Sequence, residues 1–459
     1  MAQVQATLAP SYDQCAGACL IGPKVARCPL NSVFRSLPFF MLFGQFIFVH
    51  DFSQVVSASL FGVAFFLAVS AVSGRIFARP VIFFLLFLFL VIINAAAELL
   101  YYSDFDIAEY STSLTLVLLL GLSVMFAGGV RQPSAASVLR GMWLLTTLGV
   151  LHSGLLFIQF VEWNFLGSTL TLNPFGPFAK FGPYGSYYGP VVWDSIYRPN
   201  GFFSEPSAAA WFTAICLASA LVCQRVAGKR VGLTAFALVV GMLSTASLSG
   251  VVNALVILGV WVMINLPWRI KLGTGIMAFG SVFGAIVAVL VQTGRIEELF
   301  TPGTSLYVRI AMPAQLVLDI FKNYPFGLPL GQTSFIVQQS YFVRNEALAQ
   351  SANLDNGLFV ILVYFGLFGA AGLLWLAHRI WRSLRRRNPG VLVLVATTLA
   401  VSQSGAVWAP NYILLIIYTI FVVRYCDAWT MAQRSVATAT THSSAAVVVT
   451  RPAPPPNPV

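Results

Sequence analysis

Residues 355–387 read DNGLFVILVYFGLFGAAGLLWLAHRIWRSLRRR. From Gly357 to Ala377 there is no Asp, Glu, Lys or Arg, and the run then ends in five arginines between Arg379 and Arg387. An uncharged run of about twenty residues is the length that crosses a hydrocarbon core roughly 30 Å thick as an α-helix. Backbone in lipid must satisfy its own hydrogen bonds, which a helix does within itself and an open strand does not. Arginines that close such a run mark the face where positive charge is retained.

The rest of the chain repeats this design. Its 459 residues are 58% hydrophobic and 9% charged, against about 25% charged in a soluble domain. So few polar groups cannot cover a water-exposed surface of this size. Hydrophobic blocks between charge clusters predict spans near 37–50, 55–73, 80–100, 111–130, 141–160, 206–224, 231–247, 250–266, 272–292, 356–377, 391–408 and 411–427. The short alternating segments of a membrane β-barrel are not seen. The expected fold is all-α and polytopic, with about twelve transmembrane helices and two large outer (periplasmic) loops.

Charge sets the orientation. With the N-terminus inside, 20 of the 26 Lys and Arg residues fall on inner segments and six on outer ones: Lys180, Arg198, Arg295, Arg309, Lys322 and Arg344. This predicts a bacterial inner-membrane protein with both termini in the cytoplasm. The net charge of +11 is then a topology signal, helped by attraction to anionic membrane lipids, and calls for no nucleic acid. Residues 1–36 form a cytoplasmic arm without the apolar core and cleavage site of a secretory signal. Residues 37–427 form the membrane domain. Residues 428–459 form a cytoplasmic tail whose composition from 435 on, ending PAPPPNPV, predicts disorder. Cys15, Cys19 and Cys28 in the arm match no zinc spacing and read as reduced thiols. The arginines at 379–387 read as a stop-transfer anchor, with a lipid or partner site as the alternative.

Two outer segments, 161–205 and 293–355, are too long for hairpin turns, and such loops are usually functional. The first is rich in Gly, Pro and aromatics, among them Trp193 and Tyr197. Aromatic faces on such a scaffold suit sugar rings and equally suit a membrane-interface belt. It ends in RPNGFFSEPS at 198–207. Arg198 there is a candidate anion clamp and Glu205 a candidate proton acceptor; the alternative is an interfacial arginine and a helix-capping carboxylate. In the second loop, 304–322 has helical apolar spacing at Leu306, Ile310, Val317, Ile320 and Phe321. It predicts an amphipathic outer helix lying over the site, carrying Arg309 and limited or kinked by Pro313, or equally a plain packed loop helix.

Three strings together resemble bacterial polysaccharide polymerases of the Wzy type, which share a superfamily with O-antigen ligases. RPNGFFSEPSAAAWF at 198–212 is similar to that family's R-x-x-G-x-x-x-E-P-S segment. NYPFGLPLGQ at 323–332 is similar to its N-x-P-x-G-x-x-x-G stretch and follows Arg309, in register with a loop arginine of the family. DNGLFVILVYFGLFGAAGLL at 355–374 is similar to the helix after that loop. The resemblance covers roughly 80–425. Departures are the Asp355-Asn356 pair where the ligases carry His-Asn, and a Ser-rich turn STASLSG at 244–250 without the arginine of many relatives.

The resemblance implies substrates that are undecaprenyl-diphosphate-linked oligosaccharides at the outer leaflet. The growing glycan passes from its lipid diphosphate to a hydroxyl of the next lipid-linked unit. Arg198 and Arg309 are the expected phosphate clamps, since guanidinium binds phosphate bidentately and stays charged. Arg344 is a weaker third, equally a solvated residue. Glu205 is the first candidate base, then Asp355, with Asp319 also available. Arg344, Tyr197, Trp193 and Asn356 are assigned to substrate binding. No cofactor and no metal are expected; loss of activity to a chelator with rescue by a divalent ion would overturn that. Expected partners are a flippase and a chain-length regulator. Alternatives are a ligase-like glycan transferase, disfavoured by the lack of His in the outer loops, and a lipid-linked sugar transporter or flippase, disfavoured by nearly charge-free spans.

Overall fold

A computed structural model describes residues 29–44, 47–49, 56–73, 77–101, 107–167, 191–193, 196–203, 205–266, 280, 284, 297, 301, 307–328, 330–331, 356–405 and 407–448. Its helices are α1 (Leu30–Leu42), α2 (Ala58–Val72), α3 (Ala78–Tyr101), α4 (Ile107–Gly129), α5 (Ala135–Phe165), α6 (Pro206–Ala227), α7 (Gly232–Ser244), α8 (Leu248–Asn265), α9 (Met312–Asn323), α10 (Gly357–Arg385), α11 (Val391–Ser402) and α12 (Pro410–Val448). Two short antiparallel ribbons accompany them: β1 (Ile47–Val49) with β2 (Val56–Ser57), and β3 (Val191–Trp193) with β4 (Ile196–Arg198).

Among the described residues, six helices are long and apolar enough to cross a membrane, and four shorter ones are apolar. The protein is an all-α, multi-pass membrane protein. The span expected at 272–292 lies almost wholly outside the described residues. So do the N-terminal thiols, most of the aromatic stretch before 191, Arg344 and Asp355.

The middle of the bundle is α6, which packs against α5, α7, α8 and α11. Its apolar window is 94% buried, against 22% for α4. Ala209, Ala210, Ala214, Ala218 and Ala220 let neighbouring helices approach closely. Lipid offers apolar groups no reason to leave it, so close packing and polar contacts hold membrane helices together. The polar contacts are present: the hydroxyls of Ser219 and Tyr418 lie 2.7 Å apart, those of Thr397 and Thr419 2.6 Å. Asn253 and Gln403 exchange amide bonds at 3.3 and 2.7 Å.

Basic side chains gather at one end. Arg35 donates to Ser137, Arg225 to Asn265, Arg379 pairs with Asp427, and Lys229 sits 4.6 Å over the Trp143 ring. Arg424 donates to the carbonyls of Ala127 (2.6 Å) and Val130 (3.1 Å), which closes the C-terminus of α4 with a cation where the helix dipole is negative. Arg424→Met should therefore destabilise the detergent-solubilised protein by about 2 kcal/mol, read as a lower Tm. An unchanged Tm would mean water serves those carbonyls as well.

Three expectations change. The first helix is Leu30–Leu42, not 37–50, because the apolar series Leu30, Val33, Phe34, Leu37 and Met41 is its buried face and Arg35 finds a partner within the protein. The last helix runs to Val448, through the segment whose composition predicts disorder. Residues 431–435 there are exposed. Finally, the segment around α9 does not lie simply over the bundle; the 324–328 turn that follows it is docked into α10.

That docking rests on a break in α10. Gly366 has φ 50° and ψ −128°, a backbone conformation open essentially to glycine. The break interrupts the helical ladder, and the 324–328 turn fills the gap. Leu328 N–H donates to Val363 O and Leu367 N–H donates to Pro325 O, both at 2.9 Å. Asn94 of α3 donates to Leu328 O at 3.2 Å and to Tyr364 O at 3.5 Å. A Cβ at Gly327 would meet the Tyr364 backbone, so this contact too needs glycine. Non-helical backbone at membrane depth is tolerated only where protein satisfies it. The described part of the second outer loop is thus anchored inside the first half of a span. Leu318 and Phe326 beside it are 73% and 61% exposed, as lipid-facing groups are.

Candidate active site at the anchored loop

Arg309 sits in the middle of a π-helical turn, Tyr307–Ala311, that leads into α9. Such turns widen a helix by one residue and recur at functional sites. Pro313 is the second residue of α9, directly after the π turn. The buried face of α9 is Met312, Pro313, Leu316 and Ile320. Ile310 is 46% exposed, off that face, because the π turn shifts the register. Leu306 lies outside the described residues. Asp319 on α9 is half-buried and makes no described contact with Arg309.

Two contacts place Arg309. Asn356, at the start of α10, donates to the Arg309 carbonyl at 3.2 Å and caps its own helix by accepting from Leu358 N–H at 3.1 Å. The Arg309 guanidinium reaches Glu205, with Nη2 to Oε2 at 3.9 Å. Glu205 stands before Pro206 at the start of α6 and also accepts from the Ser207 hydroxyl at 3.0 Å. Its side chain is 62% exposed and that of Arg309 29%. A loose, wet ion pair of this kind adds little stability. It leaves both groups open to a ligand.

Tyr412, near the start of α12, joins them. Its hydroxyl lies within electrostatic reach of Ser404, Trp211, Glu205 and Arg309. The Trp211 and Tyr412 rings are 5.5 Å apart. Glu205, Asn356 and Tyr412 stand at the starts of α6, α10 and α12, and Asn253, near the start of α8, pairs with Gln403 beside Ser404. Four helices thus enter the bundle at this end with their N-termini towards it. Glu205 makes no side-chain cap on α6 and Ser247 none on α8. Helix N-termini carry partial positive charge. With Arg309 they make this end favourable for an anion.

Arg198 is positioned separately, by α5. In the β3–β4 ribbon Arg198 pairs with Val191, Tyr197 with Val192 and Trp193 with Ile196. The N–H and C=O of Tyr197 face away from β3 and both bond the Asn164 amide, at 2.9 and 3.0 Å. Gly201 N–H donates to Gln159 at 3.0 Å. Gly201 has φ 58° and lies directly on the His152 ring, where no side chain fits. His152 packs among Phe202, Phe203 and Phe212, which makes it a core residue. Tyr197 is half-buried, edge-on to Trp163. The Trp193 side chain lies outside the described residues.

Of the residues expected from sequence, Glu205, Arg309 and Asn356 come together, with the Asn356 contact made through its amide to backbone. Tyr412, Ser404, Trp211, Gln159, Asn164 and Glu162 were not foreseen. Trp211 falls within the quoted RPNGFFSEPSAAAWF string; the others carry no motif. Among the described residues no group of three His, Cys, Asp or Glu side chains stands together as metal ligands would.

The family model for the WcaD colanic acid polymerase matches residues 99–425, well over half of the chain. A protein of Escherichia coli (strain K12), provisionally named as a colanic acid polymerase, is 25% identical over 139 residues. That match covers 29% of this chain and 34% of the relative, so the chain spans about a third of the curated relative's length. The matched region includes both the Arg198 ribbon and the Arg309–Glu205 pair. The chain belongs to the WcaD colanic acid polymerase family.

Proposed function

We propose that this protein is an enzyme that polymerises polysaccharide from oligosaccharide repeat units carried on a lipid diphosphate, at the outer face of the bacterial inner membrane. The observation that carries the reading is the Arg309–Glu205 pair at an end where four helix N-termini converge. Family membership supports the polymerase class. The placement of most basic residues at the opposite end supports an outward-facing site and cytoplasmic termini.

In this reading Arg309 and Arg198 bind the diphosphate. An acceptor hydroxyl of the incoming lipid-linked unit attacks the anomeric carbon of the growing chain. The new glycosidic C–O bond forms, and the bond from that carbon to the diphosphate oxygen breaks. The hydroxyl proton passes to Glu205, and the lipid diphosphate leaves with the electron pair. Positive charge fixed where negative charge develops lowers the barrier without reorganisation. Ser207 holds the Glu205 carboxylate, and its exposure lets an acceptor reach it. Asp355, Arg344 and Trp193 keep the roles assigned from sequence, as does Tyr197 as a sugar-facing aromatic. Flippase and chain-length partners, a cytoplasmic arm ahead of α1, a membrane domain to 427 and a cytoplasmic tail over 428–459 complete the proposal.

Deletion of the gene, followed by analysis of accumulated lipid-linked sugars with their sidedness, tests it. Single repeat units exposed on the outer leaflet, with no long chains, are the expected result. Full-length glycan still on its carrier would make the protein a ligase, and units held inside would make it a flippase.

A further inference from the structure

Among the described residues Glu162 is the only charged side chain that is buried, at 8% exposure. It lies near the end of α5, between the two side chains that hold the Arg198 segment. Gln159, one turn before it, bonds Gly201, and Asn164, two residues after it, bonds both backbone groups of Tyr197. Trp163 contacts the Tyr197 ring. The chain from 197 to 201 is therefore drawn across the part of α5 that carries Glu162. Gln159 and Glu162 are three residues apart and share a helix face. A buried carboxylate is costly unless paired and hydrogen-bonded. The held segment reads Tyr-Arg-Pro-Asn-Gly and contains one cation, Arg198. Arg198 is half-buried with its Nε out of solvent, and neither it nor Glu162 is without a partner.

We propose that Glu162 is the positioning residue for Arg198: its carboxylate holds one edge of the guanidinium and turns the other towards the diphosphate. This rests on the reading of Arg198 as a phosphate clamp. Guanidinium is a planar fork with donors on two edges, so one edge can be held while the other binds an anion. Glu162 would act on donor affinity and orientation, without touching the reacting atoms.

The test uses full-length protein in lipid nanodiscs. Binding of undecaprenyl diphosphate and turnover of lipid-linked repeat units isolated from the deletion strain are measured separately. Glu162→Gln should weaken binding about tenfold, as expected for loss of a charge-assisted contact, and lower kcat/KM at least as much. Arg198→Ala should weaken binding at least as much, and the double variant should bind no worse than Arg198→Ala alone. Unchanged binding in Glu162→Gln, or losses that multiply in the double variant, would overturn the proposal. Should Glu162→Gln not reach the membrane, Glu162→Asp decides: it keeps the charge and draws it back by one methylene, so binding should fall severalfold, and wild-type binding would overturn the pairing. Normal polymer from Arg198→Ala would instead overturn the clamp reading itself.

Discussion

Arg309→Ala should reduce polymer to background while the protein still reaches the membrane at wild-type levels. The argument is positional. Arg309 is held by a π turn, by the Asn356 amide on its carbonyl, and opposite Glu205. Its ion pair is loose and wet, so removing it should cost little stability. If the guanidinium meets the leaving diphosphate, removing it forfeits charge stabilisation made in the transition state. Loss of one such group typically costs about 10²–10³ in rate. Arg309→Lys should recover part of this, since lysine keeps the charge and loses the bidentate fork. The measurement is the chain-length distribution in a deletion strain complemented with each variant, beside an immunoblot of its membranes. Full-length polymer from Arg309→Ala at normal expression would remove Arg309 from the site.

Gly366→Ala should be worse for the protein as a whole. Its backbone conformation is one that an L side chain rarely adopts, and a Cβ would press on Pro325 O and stand 2.6 Å from Gly327 N. Strain at such a position costs on the order of 1–3 kcal/mol. The easiest relief is for α10 to straighten, which expels the 324–328 turn and forfeits both backbone bonds that join it to α10. Each is worth about 1 kcal/mol. Whether the strain is kept or relieved, the cost of about 2–3 kcal/mol is a sizeable part of a typical folding free energy of about 5–15 kcal/mol. The expected readouts are a strongly lowered Tm, new protease cleavage within 324–331, and no polymer. Gly372→Ala is the control, since a Cβ there meets nothing within 4 Å. A normal Tm and uncut loop in Gly366→Ala would mean that α10 is not broken in the membrane.

These two residues differ in how far sequence announces them. Arg309 was visible as an outer arginine in register with a family motif. Gly366 and Gly327 lie inside strings that were quoted for their resemblance, yet nothing in those strings says that the two touch. Read by composition, 357–377 is a plain apolar run, and a glycine in it is unremarkable in a membrane helix. The conformation of Gly366 exists because a turn some forty residues earlier supplies Val363 and Leu367 with partners. Arg198 likewise was visible, while Glu162 was not. Within α5 it is one acidic residue near a helix end, the usual place for a solvated group.

Run length and the placement of Lys and Arg were enough to establish an all-α, multi-pass membrane protein, and three strings in order were enough to suggest its family. Those properties are local or additive: a stretch of twenty apolar residues partitions into lipid whatever its neighbours do. Contacts between distant segments are not additive. The meeting of Glu205 with Arg309, the docking of 324–328 into α10 and the burial of Glu162 near the end of α5 each depend on how helices pack. Packing is set by shape and by which polar groups must find partners once water is gone, and neither is written in the hydropathy of any one segment.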